Sequence, residues 1–100
     1  METEILKNEK QTLITLKGRL DTVNAVKFQQ EIEALSLDDG AEVAVDCAAL
    51  EYISSSGLRA FISLLKKAQK KGGRVKLLHL TPNVKEVFDM TAFSQLFGLE

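Results

Sequence analysis

The sequence predicts an α/β fold: a mostly parallel sheet of four to five strands with an N-terminal antiparallel edge strand, in the order β-β-α-β-α-β-α-(α). Three observations predict it. Short runs rich in β-branched and apolar residues occur at 3–8, 11–17, 42–47 and 74–80, as strands require. Segments with apolar residues every three or four positions separate the later runs, and helical crossovers of that length join parallel strands with right-handed connections. Turn and cap residues mark each change of period.

Residues 3–8 and 11–17 read as a hairpin. In the second run Leu13 and Thr15 alternate with Ile14 and Leu16, and Asn8-Glu9-Lys10 supplies turn chemistry. Gly18-Arg19-Leu20-Asp21-Thr22 reads as a chain reversal ending in a helix cap, with Asp21 or Thr22 as the capping residue. Ala25, Phe28, Ile32 and Leu35 follow at helical spacing with Lys27, Glu31 and Glu33 off the stripe, and Asp38-Asp39-Gly40 closes the helix as a loop. Glu42 to Cys47 reads as a short strand, and Ala48 to Gly57 as the loop behind it.

A second helix carries a stripe of Leu58, Phe61, Ile62, Leu65 and Ala68 and stops at Gly72-Gly73. Arg74 to Leu80, with His79 inside it, reads as the last strand. Thr81-Pro82 then opens a helix, Thr as N-cap and Pro at the first helical position, with Val84, Val87 and Phe88 on its apolar face. Met90 to Phe97 reads as a further short helix and Gly98-Leu99-Glu100 as a tail.

One hundred residues, 45% hydrophobic and 27% charged, suit a single domain over 1–100, long enough to bury about 65% of its unfolded surface. A formal net charge of −1 argues against nucleic acid as a partner. The basic cluster Lys66, Lys67, Lys70, Lys71 and Arg74 falls at a helix C-terminus, where cations are favoured anyway. Cys47, the single cysteine, allows no intrachain disulfide, so a reducing compartment is expected. The acidic Met1-Glu2-Thr3-Glu4 start lacks a signal peptide's apolar region. No apolar run reaches the roughly 18–20 residues of a membrane span. The expectation is a cytoplasmic protein without direct membrane insertion.

Conventional catalytic sets are missing. His79 and Cys47 each stand alone, which disfavours zinc, and neither a P-loop nor a dinucleotide-binding fingerprint is present. Asp21 and Asp46 are explained by capping and loop satisfaction. The three serines Ser54, Ser55 and Ser56 have no evident activating base, and Ser-Ser-Ser-Gly-Leu is not a nucleophile elbow. The reading is no enzyme, no metal and no cofactor. The serines remain the informative feature. They precede an amphipathic helix, where one can serve as N-cap and where negative charge is favoured. Sites in open α/β sheets gather at the carboxyl ends of parallel strands, so the loops 18–22 and 48–57 should meet and make Asp21 a neighbour of Ser54–Ser56. On the outer face of the helix Arg59, Ser63 and Lys66 would lie beside the serines, with Arg59 the favoured interface anchor and a solvated side chain the alternative.

The stretch Asp46 to Leu58, read with Gly18-Arg19-Leu20-Asp21 upstream and with Gly73 to Leu80 followed by Val84, Val87 and Phe88 downstream, resembles the STAS domains of small bacterial anti-sigma factor antagonists. The likeness spans nearly the whole chain and implies a STAS-like fold. It also implies a switch. The serine two positions before the signature glycine, here Ser55, is phosphorylated in the family by an anti-sigma factor that is also a serine kinase. The unphosphorylated form binds that anti-sigma factor and frees the sigma factor, and a PP2C-type phosphatase restores it. Ser56 and then Ser54 are the next candidate acceptors, and the partner surface would comprise Asp21, Thr22, Ser54, Ser55, Ser56, Gly57, Arg59 and Ser63. Family members commonly carry Asp before the acceptor, where this chain has Ser54. The alternative within the fold is a free-standing regulatory subunit of a lipid-trafficking ABC transporter that docks on its ATPase. A small serine hydrolase would need an activated serine.

Overall fold

Burial alternates strictly along Gln11–Leu20, strand β2: Thr12, Ile14, Leu16 and Leu20 are buried while Gln11, Lys17 and Arg19 are exposed. One sheet face therefore takes Ile14, Leu16 and Leu20, while Leu13 lies half-buried on the other. The computed structural model describes residues 1–8, 11–91 and 98–99. Around β2 lie β1 (Glu2–Lys7), α1 (Thr22–Ala34), β3 (Glu42–Ile53), α2 (Ser55–Lys70), β4 (Arg74–Leu78), α3 (Pro82–Met90) and β5 (Gly98–Leu99). The sheet order is β1-β2-β3-β4-β5, with β1 antiparallel at the edge and the remaining pairs parallel. Fold class, strand count and the edge hairpin are as the sequence predicts.

Because every crossover steps to the next strand in the same direction, right-handed connections bring the helices to one face. Phe28 of α1, Phe61 of α2 and Phe88 of α3 form an edge-to-face chain with centroids 5.7 and 5.5 Å apart. All three rings are fully buried over Ile14, Leu16, Val43, Val45, Leu50 and Leu77. Each such side chain contributes about 1.5–3 kcal/mol of transfer free energy. Exposed Lys17, Arg19, Tyr52 and Arg74 alternate with these core residues and mark the other face; Arg19 stacks over the Tyr52 ring, 4.4 Å from its centroid.

Several boundaries differ from expectation. Strand β2 runs on through Gly18-Arg19-Leu20, with no reversal there. Strand β3 is 12 residues long and absorbs the expected loop as far as Ile53. Its register against β2 slips twice, between Thr15 and Lys17 and between Gly18 and Arg19. Each slip leaves an extra residue on β3, so burial reads Cys47, Leu50, Ile53 with two exposed residues between each pair. A β-bulge erases the period of two, and the strand is hidden from pattern reading. Strand β4 ends at Leu78; His79 lies beyond it at φ +56°. On α2 the buried stripe includes Ala60 and Leu64, whereas Ile62 is only half-buried.

Gly72, at φ +71°, ends α2 in the left-handed conformation that glycine adopts without penalty. The Gly73 amide donates to the Ala68 carbonyl at 2.9 Å and the Gly72 amide to that of Gln69 at 3.0 Å, a Schellman closure. Pro82 opens α3 as expected, but the Thr81 hydroxyl donates to the Leu50 carbonyl at 3.3 Å and leaves the helix end uncapped by its side chain. The expected tail is instead strand β5, with Gly98 beside Lys76 and Leu99 beside Leu77. Of the helix expected over Met90 to Phe97, Met90 closes α3 and Thr91 caps it; residues 92–97 lie outside the described part.

Candidate functional site

Leu20 and Ile53 are register partners at the carboxyl ends of β2 and β3. The next residue on each strand starts a helix. Asp21 is the N-cap of α1, its Oδ1 accepting from the Asn24 amide at 2.9 Å. Ser54 is the N-cap of α2, its Oγ accepting from the Gly57 amide at 3.1 Å. Asp and Ser are favoured at this position because a short side-chain oxygen reaches an amide that the helix leaves unpaired. The Ser54 amide donates to the Leu20 carbonyl at 2.9 Å. The topology thus brings Asp21 and Ser54–Ser56 together, as the sequence predicts, and between Asp21 and Thr22 it gives the cap to Asp21.

The three serines occupy three environments. Ser54 is 9% exposed and committed to its cap. Ser55, the first residue of α2, is exposed, and Ser56 is half-buried. Gly57 is buried beneath them. A Cβ built there would lie 2.8 Å from Leu20 Cγ and 3.0 Å from Ile53 Cγ1. The first turn of α2 rests on the strand ends because this residue has no side chain to hold it off.

Ser56 and Arg59 face α1 across a shallow groove of about 290 Å³, whose far wall includes Val26, Gln29, Gln30 and Glu33. Arg59 is exposed, with no ion pair among the described residues; Thr22 is exposed and Ser63 half-buried. Val23 and Val26, 79% and 59% exposed, place apolar surface on α1 at this end of the domain. Sequence reasoning missed the α1 wall. The signal was available: both valines lie off the stripe of Ala25, Phe28 and Ile32, so the core does not claim them.

The other chemistry-bearing residues are held apart from the serines. His79 Nδ1 sits 3.2 Å from Asp46 Oδ1. The Ala48 amide, and after it His79, hold the Asp46 carboxyl below its usual range. Burial, aided by the Asp46 charge, pushes the Cys47 thiol up to about 12, so it carries no thiolate at neutral pH. Among the described residues no group of three His, Cys, Asp or Glu side chains is placed to hold a metal ion, and no helix is long and apolar enough to cross a membrane.

The profile of the STAS domain family matches residues 2–100. The chain belongs to the STAS domain family. Among its relatives is the protein BtrV of Bordetella bronchiseptica, named as an anti-sigma factor antagonist, 35% identical over 82% of this chain and 71% of its own length. The anti-sigma-B factor antagonist of Bacillus subtilis is 23% identical over 99% of this chain and 90% of its own. This STAS domain also superposes on the anti-sigma factor antagonist SpoIIAA in its unphosphorylated form, with TM-score 0.82 and 17% identity over 99% of this chain and 88% of the other. Against the Bacillus cell fate determinant SpoIIAA in the phosphorylated form the values are 0.76 and 16%, over 99% and 91%.

Proposed function

We propose that this STAS domain is a phospho-switchable binding module that sequesters an anti-sigma factor with serine kinase activity and so releases a sigma factor in the cytoplasm. Ser55 is the phosphoryl acceptor. The observation that carries the reading is the exposed hydroxyl of Ser55 at the first position of α2, between a buried capping serine and a half-buried one. Its support among relatives is that two are named anti-sigma factor antagonists and that SpoIIAA is known in unphosphorylated and phosphorylated forms.

In the switch, the γ-phosphoryl group of ATP passes to Ser55 Oγ while ADP leaves and the hydroxyl proton is released. A PP2C-type phosphatase returns the hydroxyl by hydrolysis. The phosphate adds about −1.5 to −2 charges at neutral pH. The domain tolerates them, because negative charge near a helix N-terminus is favoured by about 0.3–1 kcal/mol. In a docked interface the same charge, met by no counter-charge on the partner, costs on the order of 2–5 kcal/mol. At 1.4 kcal/mol per decade, binding weakens from about thirtyfold to a few thousandfold. The fold survives and the complex does not.

The partner surface is the rim around Ser55: Asp21 and Thr22 from α1, Ser56, Arg59 and Ser63 from α2, with Ser54 and Gly57 setting the height of the turn. The protein works as a binding partner: its one histidine is held against Asp46, and among the described residues no histidine, lysine or carboxylate side chain is hydrogen-bonded to the serines.

The test is a pull-down from the native cytoplasm with wild type, Ser55→Ala and Ser55→Asp, together with incubation of the recovered partner and ATP. Expected are an ATP-binding partner held by wild type and Ser55→Ala but lost by Ser55→Asp, and a gain of about 80 Da on a peptide spanning residues 52–59. Label that persists in Ser55→Ala, or a complex indifferent to Ser55→Asp, would remove the mechanism.

A further inference from the structure

We infer that Arg59 is the counter-charge of the phosphorylated state, a guanidinium that turns back along α2 to take the phosphate on Ser55. The inference rests on the reading of Ser55 as acceptor and adds a device internal to this chain. Ser55 and Arg59 are both exposed and stand four residues apart on one helix. At about 100° per residue, Arg59 projects roughly 40° from Ser55 and roughly 60° from Ser56, between the two hydroxyls and one turn along. Helical side chains lean toward the N-terminus, so the guanidinium is carried toward the serines.

No competing partner holds Arg59. Among the described residues it makes no ion pair, and Glu33, across the groove, accepts from Gln29 Nε2 at 3.3 Å. Other cations are committed elsewhere. Arg19 lies over the Tyr52 ring on the opposite sheet face, and Lys67 donates to the Ile32 and Glu33 carbonyls at 2.7 and 3.1 Å. Lys66 and Lys70 stand at least two helical turns beyond Ser56 on α2. A phosphate on Ser55 finds one arginine within reach, able to pair with it bidentately.

Phosphorylation then does two things at once. It puts negative charge on the partner surface and withdraws that surface's free arginine. The paired state has a signature of its own, because a nearby cation favours the doubly ionised phosphate and lowers its second ionisation. Asp21 and Glu33, the acidic groups facing this end of α2, act in the opposite sense and are unchanged by substitution at 59.

The experiment places phosphoserine at position 55 during synthesis by an expanded genetic code. It therefore reads out even if no anti-sigma factor kinase modifies this chain, a failure that would count against the proposed function alone. Phosphorus-31 NMR follows the second ionisation in the phosphorylated protein and in its Arg59→Gln, Arg59→Lys and Lys66→Gln variants, with thermal melting to verify folding. Expected is an ionisation below about 6 in the parent. Arg59→Gln should raise it by about half a unit, a threefold change in proton affinity, and Arg59→Lys by less. Lys66→Gln should leave it in place, and added salt should narrow the gap between parent and Arg59→Gln. Identical titrations for the parent and Arg59→Gln, or an equal shift from Lys66→Gln, would overturn the inference.

Discussion

The Ser54 amide donates to the Leu20 carbonyl at 2.9 Å, so the strand end that launches α1 is hydrogen-bonded to the residue that launches α2. One backbone bond joins two helix starts. The capping side chains, the exposed Ser55 hydroxyl and the Arg59 rim are thereby held at one end of the sheet.

Neighbouring serines should separate stability from signalling. Ser54→Ala removes the α2 cap and is expected to cost about 1 kcal/mol, within the usual 0.5–2. Ser55→Ala, at an exposed residue with no side-chain hydrogen bond among the described residues, should change stability by less than about 0.5 kcal/mol while abolishing phosphorylation. Urea melts and intact-mass measurements on the pair check both; an equally large loss of stability from Ser55→Ala would contradict the assignment.

Asp21 allows a similar separation. Asn caps as well as Asp, so Asp21→Asn should retain stability while Asp21→Ala loses about 1 kcal/mol. Any effect of Asp21→Asn on partner affinity then reports the charge alone. Calorimetric titration beside thermal melting makes the distinction.

Gly57→Ala is expected to destabilise even though alanine is the better helix former. The added Cβ would meet Leu20 Cγ at 2.8 Å, and both Leu20 and Ile53 are buried with little room to yield. Overpacking costs typically about 1–3 kcal/mol against a propensity gain of about 1. A net loss of about 1 kcal/mol would lower Tm by about 4–8 °C. A higher melting temperature would show that the helix start lifts at no cost.

Acid should unfold the wild type through Asp46 among other groups. Its folded-state ionisation is lowered, chiefly by the Ala48 amide. Its contribution is therefore present above the unfolded value near about 3.9 and is lost as pH falls through the folded value. Between about pH 5 and about pH 3, wild type should lose stability faster than Asp46→Asn in urea-midpoint measurements. Parallel curves would show that the carboxylate adds nothing.

Cys47 should report unfolding. Fully buried, with its thiol pushed up to about 12, it should resist alkylation at pH 8 in native protein and react at once in denaturant. Rapid native labelling would mean that β3 opens locally.

What the sequence by itself determined was local. A cap at Asp21 or Thr22, a second among Ser54–Ser56, the Gly72-Gly73 stop and the Pro82 start were readable because each works within three or four residues of chain, as were the helical stripes through Phe28 and Phe61. The order of strands and helices followed from the same signals. Only the tertiary structure decided where β3 ends, because its two bulges answer to the register of β2. It also decided that residues 98–99 pair with β4, since that contact depends on residues more than twenty positions away. Above all it decided which serine is exposed. Three identical side chains in a row are indistinguishable by composition or spacing. Packing of α2 onto Leu20 and Ile53 turns Ser54 into the buried cap, sets Ser56 against α1 and leaves Ser55 in solvent.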